Sequence, residues 1–470
     1  MTTRWRHACL VSKRLRAGGL AALAGAIFLA GCQVDFDKMR RDHAERFPRE
    51  LSARTAGQLS PDEPVGLDDC IRIALANNLD ARTADINRRL ATLDRKIAFT
   101  NFLPHVDVRV NSYSSAKQQA LGFGGNYVPM ADRSVTQAVL GAQQSIFAPE
   151  TWFLYDAHVK GEDVSELVAR RTRDLIRLQV TTLYFALLSQ DESRQAIERS
   201  LEQARSLRRE VEALAREDLA MPSQIEQART FVQAQQVNLA ANSRMRTETR
   251  SALLEAMGLS PTADVVVKAE TPLSVADQEL PEQILTAMLQ RPELHVADRT
   301  IEIRKDETRI AIAQFLPKLV GFSDLSISSD SFLRYSNLWT FGVSGVLSVF
   351  DGFANVFEYR AAKEREKQAA IDRERTCMRV MLEVIRARTQ YDQAVDNQRL
   401  AEQELVAAEA LRNETRAQWR EGLLRSSQRL DAAARHAAAR SNASAAAFRV
   451  QVAAATLLDV MGESSEGSGL

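Results

Sequence analysis

Glycine and proline are scarce, 20 and 12 in 470 residues. Both interrupt regular elements, so their scarcity predicts long uninterrupted ones, and helices more than strands. Six histidines (His7, His43, His105, His158, His295, His436) fall at no ligand spacing. There is no CxxC, no HExxH and no Ser/His/Asp or paired-carboxylate signature, so neither a metal site, a cofactor nor catalysis is expected. A basic excess is missing too, since 61 Lys/Arg balance 61 Asp/Glu. Yet 45% of residues are apolar and 26% charged, which excludes a disordered chain.

The N-terminus is an address. Residues 1–16 hold Arg4, Arg6, Lys13, Arg14 and Arg16 and no acid, and an apolar run GGLAALAGAIFLAGC follows. This is a secretory signal, too short to span a membrane as a helix. Its end, Leu29-Ala30-Gly31-Cys32, resembles a bacterial lipobox, which implies that Cys32 is lipidated and becomes the first mature residue. Gln33 follows rather than Asp, which in that sorting pattern implies the outer membrane. Removing residues 1–31 takes five basic residues and no acid, leaving 56 against 61, a net charge of −5. That balance argues against nucleic acid as a partner. Cys70 and Cys377 then lie in an oxidising compartment, where two separately buried thiols are favoured over a disulfide.

The chain is an internal duplication. Phe102-Leu103-Pro104 recurs as Phe315-Leu316-Pro317, and Ala84-Asp85 as Ala297-Asp298, both at an offset of 213. Further on the offset falls: Ile146-Phe147 matches Val349-Phe350 at 203, and Met257-Gly258 matches Met461-Gly462 at 204. The first half therefore carries about ten extra residues in one loop, around Leu121–Tyr127, which is expected to be extracellular. Repeats of about 200 residues are too long for a solenoid and predict two halves of one body.

Within each half the periodicity changes. Val106, Val108 and Val110 alternate with His105, Asp107, Arg109 and Asn111. Trp339, Phe341, Val343, Leu347 and Val349 alternate with polar or small residues. Such strands put lipid on one face and water on the other in a barrel. Strands 135–147 and 317–328 alternate less cleanly. Elsewhere helix prevails: Phe353 to Glu421 is 69 residues without Gly or Pro, about 100 Å as one helix, and 162–221 is equally uninterrupted. Ile176, Val180, Leu183 and Leu187 fall on a coiled-coil seam. Shorter segments, 223–257 and 423–461, return.

The organisation expected is a signal peptide (1–31), a lipid-anchored segment (32–66), repeat 1 (67–262, strands about 104–113 and 135–147), a linker (263–279), repeat 2 (280–462, strands about 317–328 and 338–350) and a flexible tail (463–470). Order and motifs together resemble the TolC-like outer-membrane efflux protein family, in its lipoprotein branch. LDDCIRIALANNLDARTA (67–84) and LPEQILTAMLQRPELHVA (280–297) look like the opening helix of each repeat. The FLP joints, VFDGFANVFEYRAAK (349–363), DLAMPSQIEQARTFV (218–232) and EGLLRSSQRLDAAARH (421–436) look like the remaining joints and turns.

The resemblance implies a mainly α chain with a small β part, whose duplicated helical hairpins form a trimeric α-barrel topped by a 12-stranded outer-membrane β-barrel, four strands per chain. It implies a homotrimer that docks a periplasmic adaptor and an inner-membrane pump and serves as a passive exit duct. By resemblance, Trp419, Leu424, Gln428 and Asp431 are gate candidates, with Gln428 (and Gln224 in the first turn) where the family has a ring-forming Asp. Leu219, Ala220, Met221, Gly422, Leu423, Arg425 and Ser426 are candidates for the adaptor-docking tips. A lipid-anchored periplasmic adaptor and a coiled-coil lipoprotein without a pore are the alternatives. The first lacks its Gly-rich β-domains here, and the second leaves the period-two strands unexplained.

Overall fold

In a computed structural model, residues 35–60, 63–269, 273–421, 423–424 and 426–463 are described. The signal peptide, Cys32, Gly422 and Arg425 lie outside them, as does 464–470. The chain divides into two units, residues 1–60 and 61–470. The first contains α1 (Phe36–Ala56), whose N-terminus is capped by the Asp35 carboxylate accepting from the Asp37 and Lys38 amides.

The second unit shows the duplication in its element lengths. Repeat 1 runs α2 (Leu67–Asn77), α3 (Leu79–Thr100), β1 (His105–Ser114), β2 (Ala120–Phe123), β3 (Asn126–Pro129), β4 (Ser134–Phe147), α4 (Pro149–Arg216) and α5 (Pro222–Ala256). Repeat 2 runs α6 (Leu280–Gln290), α7 (Pro292–Ala313), β5 (Lys318–Ser328), β6 (Asn337–Val346), α8 (Ala354–Arg420) and α9 (Ser426–Met461). Helices α2 and α6 have 11 residues each, α3 and α7 have 22, α4 and α8 have 68 and 67, and α5 and α9 have 35 and 36.

The expected opening helices, 67–84 and 280–297, are each broken in two. Asn78 turns out of the helix, its side-chain oxygen accepting from the Asp80 and Ala81 amides to cap α3, while its side-chain Nδ2 donates to Ala256 O at 2.8 Å, buried. In repeat 2 the break falls at Arg291, and Pro292 opens α7, the position where a missing N–H costs nothing. A glycine grips each break. Gly258 (φ +68) ends α5, and a Cβ there would lie 2.3 Å from Asn77 O. Gly462 (φ +79) ends α9, and a Cβ there would lie 3.0 Å from Gln290 Cβ. Only glycine combines left-handed backbone with such close approach.

Around these joints lies much of the apolar core. Ile176, Val180, Leu187, Leu253, Leu254 and Met257 are buried in repeat 1, and Leu457 and Met461 in repeat 2. Leu183, the remaining member of the seam, is half-buried. Tyr184 and Phe185 are buried beside it, and the Tyr184 hydroxyl donates to Lys268 O of the linker. The linker pairs there with the entry to α2, through Val65 N to Val266 O at 2.8 Å and Lys268 N to Val65 O at 3.0 Å. Cys70 is buried and Cys377 half-buried, and no disulfide joins them. In repeat 2 an ion network fills the corresponding space. Arg171 of α4 grips Asp459 of α9 through both guanidinium branches and reaches Glu293 at 2.8 Å. Buried Arg291 pairs with Glu293 and Glu383. Burial opposes charge on Glu293, but Arg291 and Arg171 outweigh it and hold its carboxyl below the usual range.

Strands β1, β4, β5 and β6 form one antiparallel sheet in the order β1-β4-β5-β6, with β1 and β6 as free edges within this chain. β6 ends at Val346, short of the expected 350, because Val346 pairs with Lys318 and the residue before Lys318 is Pro317, which has no N–H to extend the ladder. The extra length of the first loop is the hairpin β2–β3, closed by Gly124 and Gly125 at φ +55 and +93, the backbone that a two-residue hairpin turn needs. Gln428–Met461 is long and apolar enough to cross a membrane by composition. Its alanines instead pack along α8 and α4.

Left-handed backbone costs an ordinary L residue about 1–2 kcal/mol, and at Gly258 a clash with backbone adds to it. Gly258→Ala should therefore lower the melting temperature more than Gly462→Ala, whose added methyl meets the Gln290 side chain first. Equal shifts in thermal melts would remove the close approach at Asn77 as the cause.

Candidate functional site

Two regions carry the features a duct needs: the turns joining each long helix to its returning partner, and the faces of the sheet.

At the first turn, Glu217 and Asp218 leave α4, and Asp218 takes φ +56. The offset of 204 puts Gly422 at this position in repeat 2. Leu219 and Met221 are 68% and 65% exposed, whereas Ala220 packs onto a cluster of Leu207, Val211, Ala228 and Leu430. That cluster joins α4, α5 and α9. At the second turn Leu423 is 69% exposed and Leu424 half-buried. The backbone at Ser426 opens α9.

Gln224 has a local task. It is the third residue of α5, and its side-chain oxygen accepts from Met221 N at 2.9 Å, supplying one half of a capping box. Gln428 is the third residue of α9 and is exposed. The two glutamines thus share a helix-start position, which sequence reading treated only as a departure from Asp. Asp431 is exposed and pairs with Arg435 at 2.9 Å, one turn on, a surface contact of little energetic weight.

Trp419 is half-buried under Arg429, whose guanidinium lies 4.1 Å from the ring centroid. Arg429 also donates to Glu210 of α4 at 2.7 Å. The chain Glu210–Arg429–Trp419 therefore ties the turn of repeat 2 to the long helix of repeat 1, directly beside the apolar cluster. Sequence reading found Trp419 but neither partner, because Glu210 and Arg429 are 219 residues apart and share no motif.

Higher on the same hairpin, His436 of α9 is buried, with Arg412 Nη1 of α8 3.2 Å from both ring nitrogens. A guanidinium only donates, so the ring nitrogen it meets must be unprotonated. Burial, with Arg412 second, pushes the imidazole below its usual value of 6.5.

The sheet has two unlike faces, fixed by register. One carries Val106, Val108 and Val110, Ala142, Leu140 and Ala138, Leu325 and Ile327, Phe341 and Trp339. Trp339 and Phe341 are 70% and 77% exposed, an apolar surface that water does not tolerate at this size. The other face carries Asp107, Arg109, Asn111, Gln137, Gly141, Asp324, Ser326 and Thr340, interrupted by Tyr113, Val135, Val139, Val320, Phe322, Leu338 and Val346. Among the described residues no group of His, Cys, Asp and Glu is placed to hold a metal ion.

The model of the outer membrane efflux protein family matches residues 284–463. That match spans the second repeat. No curated protein matches the chain in sequence. Solved structures match over nearly its whole length. The outer membrane protein VceC of Vibrio cholerae is 14% identical, with a TM-score of 0.71 over 84% of this chain and 96% of that one. The open state of the MtrE outer membrane channel of Neisseria gonorrhoeae is 20% identical, with a TM-score of 0.70 over 84% and 88%. A membrane protein of Pseudomonas aeruginosa is 18% identical, with a TM-score of 0.74 over 84% and 93%. The fold of both repeats is thus the fold these solved membrane proteins share. The efflux protein family extends through α9, so the Trp419 turn and His436 lie on a family element.

The neutral form of His436 is favoured by the fold, so the unfolded chain binds more protons below pH 6.5. Stability is complete above that value and falls as pH drops through the depressed folded pKa. Melts at pH 7.5 and 5.5 should show an acid loss in the wild type that is reduced in His436→Gln. The same acid loss in both proteins would exclude this histidine.

Proposed function

We propose that the protein is the outer-membrane exit duct of a tripartite efflux system, acting as a homotrimer and passing solutes without catalysis. The observation that carries this is the pair of free sheet edges joined to unpartnered helix seams. Strand β1 continues α3, which exposes Leu79, Ile86, Leu90, Leu93 and Ile97 at spacings of seven, four, three and four. Strand β6 leads into α8, which exposes Phe357, Ile371, Met378 and Ile385 at multiples of seven. These are heptad positions. One flank of a protomer therefore suits the other flank of its neighbour, a head-to-tail contact that closes into a ring.

Ring size follows from the strand number. Two copies would supply eight strands, whose interior side chains fill, while three supply twelve and leave room for water. The apolar sheet face then meets lipid and the polar face lines a lumen. Lipidated Cys32 anchors the chain to the outer membrane. The exposed Leu219, Met221 and Leu423, with Ala220 and Ser426, form the docking end for a periplasmic adaptor linked to an inner-membrane pump, to which the sequence adds Gly422 and Arg425.

In this reading the gate is the Glu210–Arg429–Trp419 tie. It holds the turn of repeat 2 against the long helix of repeat 1 in the same chain, with Leu424, Gln428 and Asp431 nearby. Releasing it frees the turn to move outward, which needs no covalent change and suits a contact made on the turn by another protein.

Negative-stain images of the detergent-purified mature protein should show cylinders over about 100 Å long with threefold end views. Monomers or thin rods would sink the duct. Glu210→Gln and Arg429→Ala should each raise single-channel conductance in planar bilayers, with little change in melting temperature. Wild-type conductance in both would show that this tie does not hold the gate.

A further inference from the structure

The four strands of the main sheet contain only four Asp, Glu, Lys or Arg residues: Asp107, Arg109, Lys318 and Asp324. Lys318 is the first residue of β5 and is neutralised by Glu150 of α4 at 2.5 Å. The other three meet at one place. Asp107 and Arg109 lie on β1 and Asp324 on β5, with β4 between. Asp107 pairs in register with Gly141, and Gly141 with Asp324. Strands two apart are separated by about 10 Å, so these side chains reach one another only by leaning over the strand between.

Gly141 permits it. A Cβ at Gly141 would lie 2.9 Å from Asp324 Oδ1, 3.1 Å from Asp107 Oδ1 and 3.3 Å from Arg109 Nη2. The space that a side chain would occupy is filled by two carboxylates and the guanidinium between them. Arg109 holds Asp107 at 2.8 Å and Asp324 at 3.8 Å. One guanidinium against two carboxylates leaves a net charge of −1 on a strand face otherwise uncharged at this level. Thr340 ends the row on β6.

Resting on the duct reading above, we propose that Asp107, Arg109 and Asp324 form the charge filter of the strand-borne part of the pore and make it prefer cationic solutes. Three protomers repeat the cluster around the lumen, where rings of fixed charge select permeating ions by sign. The geometry makes Arg109 the moderator of this belt, because its removal leaves both carboxylates uncompensated. Gly141 is the positioning residue.

The test is the reversal potential of the full-length mature protein in planar bilayers under a KCl gradient. Net belt charge per chain is −2 in Arg109→Gln, −1 in the wild type, 0 in Asp324→Asn and +1 in Asp107→Asn/Asp324→Asn. Cation over anion permeability should fall in that order, with the double variant shifted towards anions. The series reads an order, so three conducting members decide it if one fails to fold. Identical reversal potentials across the series overturn the filter, as does a change confined to Asp431→Asn, which would place selectivity at the tip. A protein that opens no pore either as wild type or as Arg429→Ala overturns the duct reading instead.

Discussion

Helices α4 and α8 are 68 and 67 residues long, about 100 Å each, and a single chain cannot cover their sides. Everything else follows from that excess of lateral surface. Within the chain, α5 lines α4 and α9 lines α8, and close approach along α8 is made by small residues, Ala362, Ala369, Ala387 and Ala401 among those buried. Among the exposed apolar residues, those from Leu79 to Ile97 and from Phe357 to Ile385 include seams at heptad spacing on the two flanks that also end in open strands. A soluble monomer would be penalised for both features. A ring of copies turns both into contacts.

Duplication solves the remaining problem, which is where such long elements stop. Each repeat ends its returning helix in a left-handed glycine set against the break of its own opening helix. The two joints are then reinforced by different chemistry. Repeat 1 uses a neutral amide, with Asn78 serving as cap and as donor to Ala256 O. Repeat 2 uses charge, with Arg291 buried between Glu293 and Glu383. Breaking a buried ion network costs more than removing one neutral hydrogen bond. The charged joint also joins α4 of repeat 1 to α9 of repeat 2 through Arg171 and Asp459, so it holds the halves together as well as ending a helix.

Much of this was legible in the sequence wherever the cause is local. Long helices follow from the lack of Gly and Pro, the duplication from its paired motifs, and the outer strands from the alternation of Val106 to Val110. The break at Asn78 was present as Asn-Leu-Asp, a cap signal, but the apolar periodicity continues across it and hides it. The hairpin β2–β3 was present as Gly-Gly between short apolar runs. Other features were not legible because they depend on pairing between distant segments. Register sets Asp107 beside Asp324, and helix packing sets Glu210 beside Arg429. The resemblance supplied Trp419, Asp431 and Gln428 as isolated positions. Geometry gave Trp419 a partner and gave the twin of Gln428 a capping role.

The two ends of the polar path differ in how their charge is held. At the tip, Asp431 is countered by Arg435 on its own helix, in bulk water where such a pair is weak and screened by salt. In the sheet, Asp107, Arg109 and Asp324 are fixed over a residue without a side chain, backed by a face of valine and leucine that meets lipid in the proposed duct. Equal charges act more strongly in the second setting, because screening is less complete there. A turn that must move is poorly suited to hold a fixed electrostatic field, and a closed ring of strands is well suited to it. In the proposed duct, this physical division assigns opening to the helical tip and discrimination by charge to the barrel.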